Sequence, residues 1–222
     1  MQSAIVLGAT GLVGREIVAL LEQDPAVERV VLLVRRAPDR ALAKKTEVRV
    51  TNFREPASFA EKLAAASPNA ADVLFSALGT TLKTAGSKEA QYEVDYTFQY
   101  EVAKAAKAAG VATVSLCSSL GASPDARSFY TRMKGELERD VIALGFARTR
   151  IVRPSFLDGD REESRPGEKV GMWIMHGLGK LPGIARYRPV SVRTVAGAMI
   201  ALAKDETPGV KVVENHELFA LA

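Results

Sequence analysis

The stretch that decides the fold is Ala4-Ile5-Val6-Leu7-Gly8-Ala9-Thr10-Gly11-Leu12-Val13-Gly14. A short apolar, partly β-branched run ends at Gly8 and a segment of helical period opens at Leu12, so the stretch reads as strand, three-glycine turn and helix. Gly8 permits a tight turn, Gly11 lets the backbone approach a ligand closely, and Gly14 lets the helix lie near the strand. The free amides where the helix starts attract negative charge. A dinucleotide is the ligand this arrangement suits, held around Gly8, Thr10, Gly11, Leu12, Val13 and Gly14.

Outward from this unit the same rhythm repeats. Ala4–Leu7, Val30–Val34, Glu47–Val50, Val73–Ala77, Thr113–Leu116 and Thr149–Val152 read as strands, nearly continuous in apolar residues as expected when both faces of a parallel sheet are covered. Leu12–Leu21, Pro56–Ala66, Glu89–Ala109 and Phe129–Leu144 read as the crossing helices, with Gly110 and Gly145 at the ends of the last two. The alternation predicts a doubly wound α/β fold, a parallel sheet of Rossmann type.

From Arg153 to Pro189 proline and glycine are frequent and the rhythm breaks, which predicts loops and short helices; a helix at Val192–Ala203 and a strand near Val210–Val213 follow. The expected organisation is one domain over 1–222, with a cofactor-binding core over 1–153 and a small substrate lobe with the last helix and strand over 154–222.

Composition excludes several classes. The chain has 222 residues, 47% of them hydrophobic and 25% charged, which is globular rather than disordered or fibrous. Thirty Lys and Arg against 26 Asp and Glu give a net charge of +4, but the basic residues are interspersed with acidic ones, so no nucleic-acid partner is expected. The single cysteine, Cys117, cannot close a disulfide within the chain, and His176 and His216 have no metal-site spacing, so no metal is expected. The amino terminus lacks the pattern of an export signal, and the apolar stretch Val170 to Ala185 is broken by His176, Lys180, Pro182 and four glycines. The expectations are a cytoplasmic location and no membrane insertion.

Two further patterns carry chemistry. At the end of the second strand, where an acidic residue would bind a ribose 2′-hydroxyl, stand Arg35 and Arg36. Two guanidinium groups suit a 2′-phosphate, which predicts NADP(H) over NAD. Asn52 and Phe53 would flank the adenine, and Ala77-Leu78-Gly79-Thr80 would pass beneath the cofactor. Tyr130 and Lys134 are four apart on one helix face, where an ammonium favours the phenolate and makes tyrosine a workable proton donor and acceptor. Ser118 or Ser119 could polarise the substrate oxygen.

The order of Gly8 to Gly14, Ser118-Ser119, Tyr130-Thr131-Arg132-Met133-Lys134 and Arg153-Pro154 resembles the short-chain dehydrogenase/reductase superfamily, in its atypical branch. Leu78-Gly79-Thr80-Thr81, Ser118-Ser119-Leu120-Gly121-Ala122, Lys134-Gly135-Glu136 and Glu163-Ser164-Arg165-Pro166-Gly167-Glu168 are similar to its Tat-interacting-protein oxidoreductase-like family. The resemblance implies NADP(H) as cofactor and Tyr130 as general acid/base. It implies that Lys134 holds the nicotinamide ribose and lowers the tyrosine pKa, that Ser119 orients the substrate with Ser118 as the other choice, and that Arg153-Pro154-Ser155 passes the nicotinamide. Asp95 stands where many extended relatives carry asparagine.

The implied activity is hydride transfer between NADPH and a carbonyl or alcohol, in a monomer or homodimer. Met172, Trp173, Met175 and Tyr187 are candidates to line the substrate pocket. Two alternatives use the same motifs: a non-catalytic NADP(H)-sensing scaffold, and, ranked last, a sugar-nucleotide epimerase or dehydratase.

Overall fold

A computed structural model of the chain describes residues 1–55, Leu63, 72–158 and 185–222. Seven strands form one parallel sheet: β1 (Ser3–Leu7), β2 (Arg29–Val34), β3 (Thr46–Val50), β4 (Val73–Ser76), β5 (Thr113–Cys117), β6 (Arg148–Arg153) and β9 (Gly209–Glu214). Their spatial order is β3-β2-β1-β4-β5-β6-β9. The chain starts in the middle, winds outward on one side, then crosses back and winds outward on the other. The reversal lies between β1 and β4, so the carboxyl ends of these two strands open a crevice where ligands of such sheets bind.

Strand alternation shows why the sequence runs look apolar throughout. Ala4 and Val6 point into one buried cluster, with Ile17, Leu21 and Met199, while Ile5 and Leu7 point into another, with Phe98, Val102 and Leu137. The first face is covered by α1 (Leu12–Gln23) and the helix Val192–Lys204, and the second by Phe98–Ala108 and Phe129–Ala143. A strand covered on both sides leaves no position for a polar solvent face.

Short helices at Leu82–Ala85 and Asn215–Ala220 join the expected strand-and-helix string, and two further departures bear on the site. The expected helix Glu89–Ala109 runs as Lys88–Tyr92, then a π-turn at Glu93–Thr97, then Phe98–Ala108. A two-stranded parallel ladder, β7 (Leu157–Asp158) with β8 (Val190–Ser191), brings the chain after β6 beside the segment that enters the last helix. Of the expected helix Pro56–Ala66 only Leu63 is described, helical and buried. Met172, Trp173, Met175, His176 and the Glu163–Glu168 motif lie outside the described residues. Among the described residues no helix is long and apolar enough to cross a membrane, and no group of three His, Cys, Asp or Glu could hold a metal.

The buried Arg150 fixes the last strand: its guanidinium donates to the carbonyls of Leu202, Asp205, Thr207 and Gly209. It thereby gathers the end of the helix Val192–Lys204 and the start of β9 against β6.

Candidate cofactor and active site

The turn after β1 is built by backbone contact. Gly8 has φ 83°, a conformation that a side chain disfavours, and a Cβ at Gly14 would sit 2.1 Å from the Gly8 carbonyl oxygen. Glycine at both places lets α1 start directly beneath the turn, with Gly11 at the N-cap position offering no side-chain cap and with no acidic side chain in the first turn. The start of α1 therefore presents unneutralised amide dipoles. Gly11, Leu12 and Val13 line a cavity of about 690 Å³, within the range of cofactor and substrate pockets. Thr10 is exposed and is not part of that lining.

Beyond β2, Arg35 and Arg36 are both exposed, and among the described residues neither has an ion-pair or hydrogen-bond partner. Asn52 is also exposed; its amide donates to Glu55 Oε1 at 2.9 Å and its carbonyl accepts from the Arg54 amide. Phe53 is 5% exposed and its ring stacks on Phe98 at 5.7 Å, so what the structure gives at this position is a core side chain.

The same cavity collects side chains from distant parts of the sequence. Tyr130 and Lys134, from the helix Phe129–Ala143, line it together with Ser119 and with Ala77, Leu78, Gly79 and Thr80 after β4. The Lys134 ammonium lies 5.9 Å from the Tyr130 ring centroid and 3.2 Å from Asp95 Oδ1, with both charged side chains buried. Burial works against a charged Lys134, but the attraction of Asp95, with Tyr130 and Cys117, outweighs it and holds the ammonium above the ordinary lysine range. Cys117, at the end of β5, has its thiol pushed up to about 11 by burial, which Lys134 only partly offsets.

The two serines are treated differently. Ser118 is buried and donates its hydroxyl hydrogen to Glu138. Ser119 lines the cavity half-buried, with only a long 3.5 Å contact from its hydroxyl to the Leu120 carbonyl. Glu138 also accepts from Arg153 Nε at 3.0 Å and Nη2 at 2.6 Å, and Arg153 Nη1 donates to Glu214 at 2.9 Å. These charge-assisted bonds hold Arg153 protonated well above its ordinary value and commit its guanidinium to joining β6, β9 and the Tyr130 helix. Arg153 is therefore not in the cavity lining, whereas Pro154 and Ser155 are.

Sequence reasoning passed over Glu138, although Tyr130, Lys134 and Glu138 are spaced i, i+4, i+8 on one helix face. It also passed over Asn215, fully buried, whose side chain accepts from the Ser155 amide and donates to the Arg188 carbonyl. No local signal marks Asn215.

A parallel sheet of this order, with a glycine turn at its centre and a Tyr-Lys helix at the same crevice, has the architecture of a dinucleotide-binding fold of Rossmann type. Residues 8–206 match the NAD(P)H-binding family model, and the chain belongs to that family. Among curated proteins it is 41% identical over 183 residues to "Protein fmp52, mitochondrial" of Emericella nidulans, covering 82% of this chain and 78% of that one. Among solved structures it superposes on the ligand-free aldohexose dehydrogenase of Thermoplasma acidophilum with TM-score 0.68 at 17% identity, covering 100% of this chain and 94% of that one. It also superposes on the Bordetella bronchiseptica enzyme WbmF in complex with NAD+ with TM-score 0.64 at 17% identity, covering 99% and 76%. At that identity the likeness is one of fold.

The name of the curated relatives corrects one expectation. They are designated mitochondrial, which overturns the cytoplasmic location inferred from Cys117 and the amino terminus. A lone thiol argues only for a compartment that keeps thiols reduced and cannot choose among them.

Proposed function

We propose that this chain is an NADP(H)-dependent oxidoreductase that moves hydride between the cofactor and a carbonyl or alcohol substrate, with Tyr130 as general acid/base. The observation that carries the reading is the cavity itself: the amino-terminal turn of α1 and the Tyr130, Lys134 and Ser119 side chains all line the same space. The residues present fit a nicotinamide dinucleotide. The uncapped start of α1 would hold its pyrophosphate, Lys134 the nicotinamide ribose, and Arg35 and Arg36 a 2′-phosphate. Leu78, Gly79 and Thr80 would pass beneath it, with Pro154 and Ser155 beside the nicotinamide. When bound, that group supplies or accepts the hydride.

The chain's own part is orientation and proton transfer. Ser119 donates a hydrogen bond to the substrate oxygen, because Ser118 is already committed to Glu138. Tyr130 gives its phenolic proton to that oxygen as the alkoxide develops, and the phenolate is reprotonated from solvent. Oxidation of the alcohol reverses both transfers.

Purified protein titrated with NADPH and with NADH, followed by nicotinamide fluorescence, and then supplied with aldehydes, ketones and quinones tests the reading. Tyr130→Phe is expected to retain NADPH binding and to lose roughly 10²- to 10⁴-fold in kcat on a substrate that turns over. Tight NADPH binding with no turnover of any carbonyl, and no effect of Tyr130→Phe, would identify a sensor instead.

A further inference from the structure

We propose that Asp95 is a positioning residue that sets the charge of this site: its carboxylate, presented by the π-turn, pins Lys134 and cancels the ammonium, so that Tyr130 works beside a neutral pair. The inference rests on the reading of Tyr130 as the proton donor and adds to it a residue from another helix.

The carboxylate is held at both oxygens. Oδ1 faces Lys134 Nζ at 3.2 Å, and Oδ2 accepts from the Thr80 amide at 2.7 Å. The backbone is held as well. Gln99 Nε2 donates to the Asp95 carbonyl at 2.6 Å, and Ser76, at the end of β4, donates to Gln99 Oε1 at 2.8 Å. Ser76, Gln99 and Asp95 are all buried. A π-turn widens the helix by one residue, and such turns concentrate at functional sites. Here it carries Asp95 into the lining of the cavity. Room for the carboxylate comes from Gly79, where a Cβ would stand 3.3 Å from Oδ1.

Other groups around Lys134 leave the cancellation to Asp95. Cys117 faces it from β5 as a neutral thiol, and Tyr130 stands one turn earlier on its own helix. Glu138, the next carboxylate along that helix, is committed to Arg153 and Ser118. Arg186 and Tyr187 line the cavity from the segment before β8, with the guanidinium stacked over the ring at 4.7 Å. Buried pairs give little net stability, since desolvating two ions costs about what their attraction returns. Two helices and a loop nevertheless converge on this one. An asparagine here would still accept from Thr80 but would leave the cation uncancelled.

Asp95→Asn tests the charge while keeping the acceptor. The Tyr130 tyrosinate signal, isolated by subtracting the matching Tyr130→Phe background, is expected to appear about one pH unit lower in Asp95→Asn than in the unsubstituted chain. The limb of kcat/KM that reports Tyr130, the alkaline one for carbonyl reduction and the acidic one for alcohol oxidation, is expected to move by the same amount. An unmoved or upward titration in folded Asp95→Asn would overturn the proposal. If that variant does not fold, Asp95→Asn combined with Lys134→Met, which buries no unpaired charge, replaces it. Tyr130 should then titrate within about half a unit of the unsubstituted chain, and a larger shift overturns the proposal. The absorbance readout needs no turnover, so it stands if no substrate is found; turnover with an unmoved titration sinks this inference alone.

Discussion

Two parts of the cavity lining are built by different physics. In one, Gly8 to Gly14 form a surface out of backbone: a left-handed Gly8, a Gly14 on which the turn rests, and helix amides without a side-chain cap. In the other, Lys134, Asp95, Tyr130 and Ser119 come from two helices and a strand end, and charge rather than shape governs them. A contiguous backbone site depends on which residues lack a side chain. A convergent side-chain site depends on every long-range contact that aligns its members.

The comparison can be broken most forcefully in the charged part. Asp95→Ala leaves a buried ammonium without its partner and is expected to destabilise the fold by about 3–5 kcal/mol, measured by urea denaturation. A loss under about 1 kcal/mol would mean that water reaches Lys134 readily.

In the backbone part, Gly14→Ala drives a methyl group into the Gly8 carbonyl and is expected to cost about 1–3 kcal/mol together with NADPH binding. A variant that keeps both would show that α1 can shift without losing the turn.

Next in size is Arg35→Ala with Arg36→Ala. Charge-assisted bonds contribute about 1.5–3 kcal/mol, so the preference for NADPH over NADH should fall roughly 10- to 100-fold, with NADH binding unchanged. Equal loss for both cofactors would remove the 2′-phosphate assignment.

The smallest effect concerns pH. Lys134 in the folded chain holds its proton beyond the ordinary lysine value, so this stabilisation is complete below that value and is lost as pH rises through the raised one. Tyr92, pushed up to about 12 by burial and by Glu136, and Tyr96, raised by burial and by its bond to Asp140, have the same sign from about pH 10 upward. Stability should therefore fall on the alkaline side above about pH 10, and Tyr92→Phe should flatten part of that slope in a series of thermal melts.

Much of the fold was legible because its signals are local. Each strand of the seven-stranded sheet starts and ends within about a residue of its expected span, whereas the short ladder of β7 with β8 had no expected counterpart. The departure inside Glu89–Ala109 was not legible: no residue in Glu93-Val94-Asp95-Tyr96-Thr97 marks a π-turn, and what holds it is Gln99 fixed by Ser76 on a different element. The candidate site divides the same way. Tyr130 and Lys134 were readable from their spacing, but Ser118 and Ser119 are indistinguishable until Glu138 is seen to take one of them. Phe53 and Arg153 looked like cofactor contacts by position, yet Phe98 draws the first into the core and Glu138 with Glu214 engage the second.

By itself the sequence determined the parallel sheet, the glycine turn and the pair Tyr130 and Lys134, because apolar runs, missing side chains and helical spacing act over a few neighbouring residues. Only the tertiary structure decided that Asp95 meets Lys134, that Arg153 leaves the cavity and that Arg150 fastens the last strand. Partners of a buried charge are set by which strands and helices come together, and no local pattern encodes that choice.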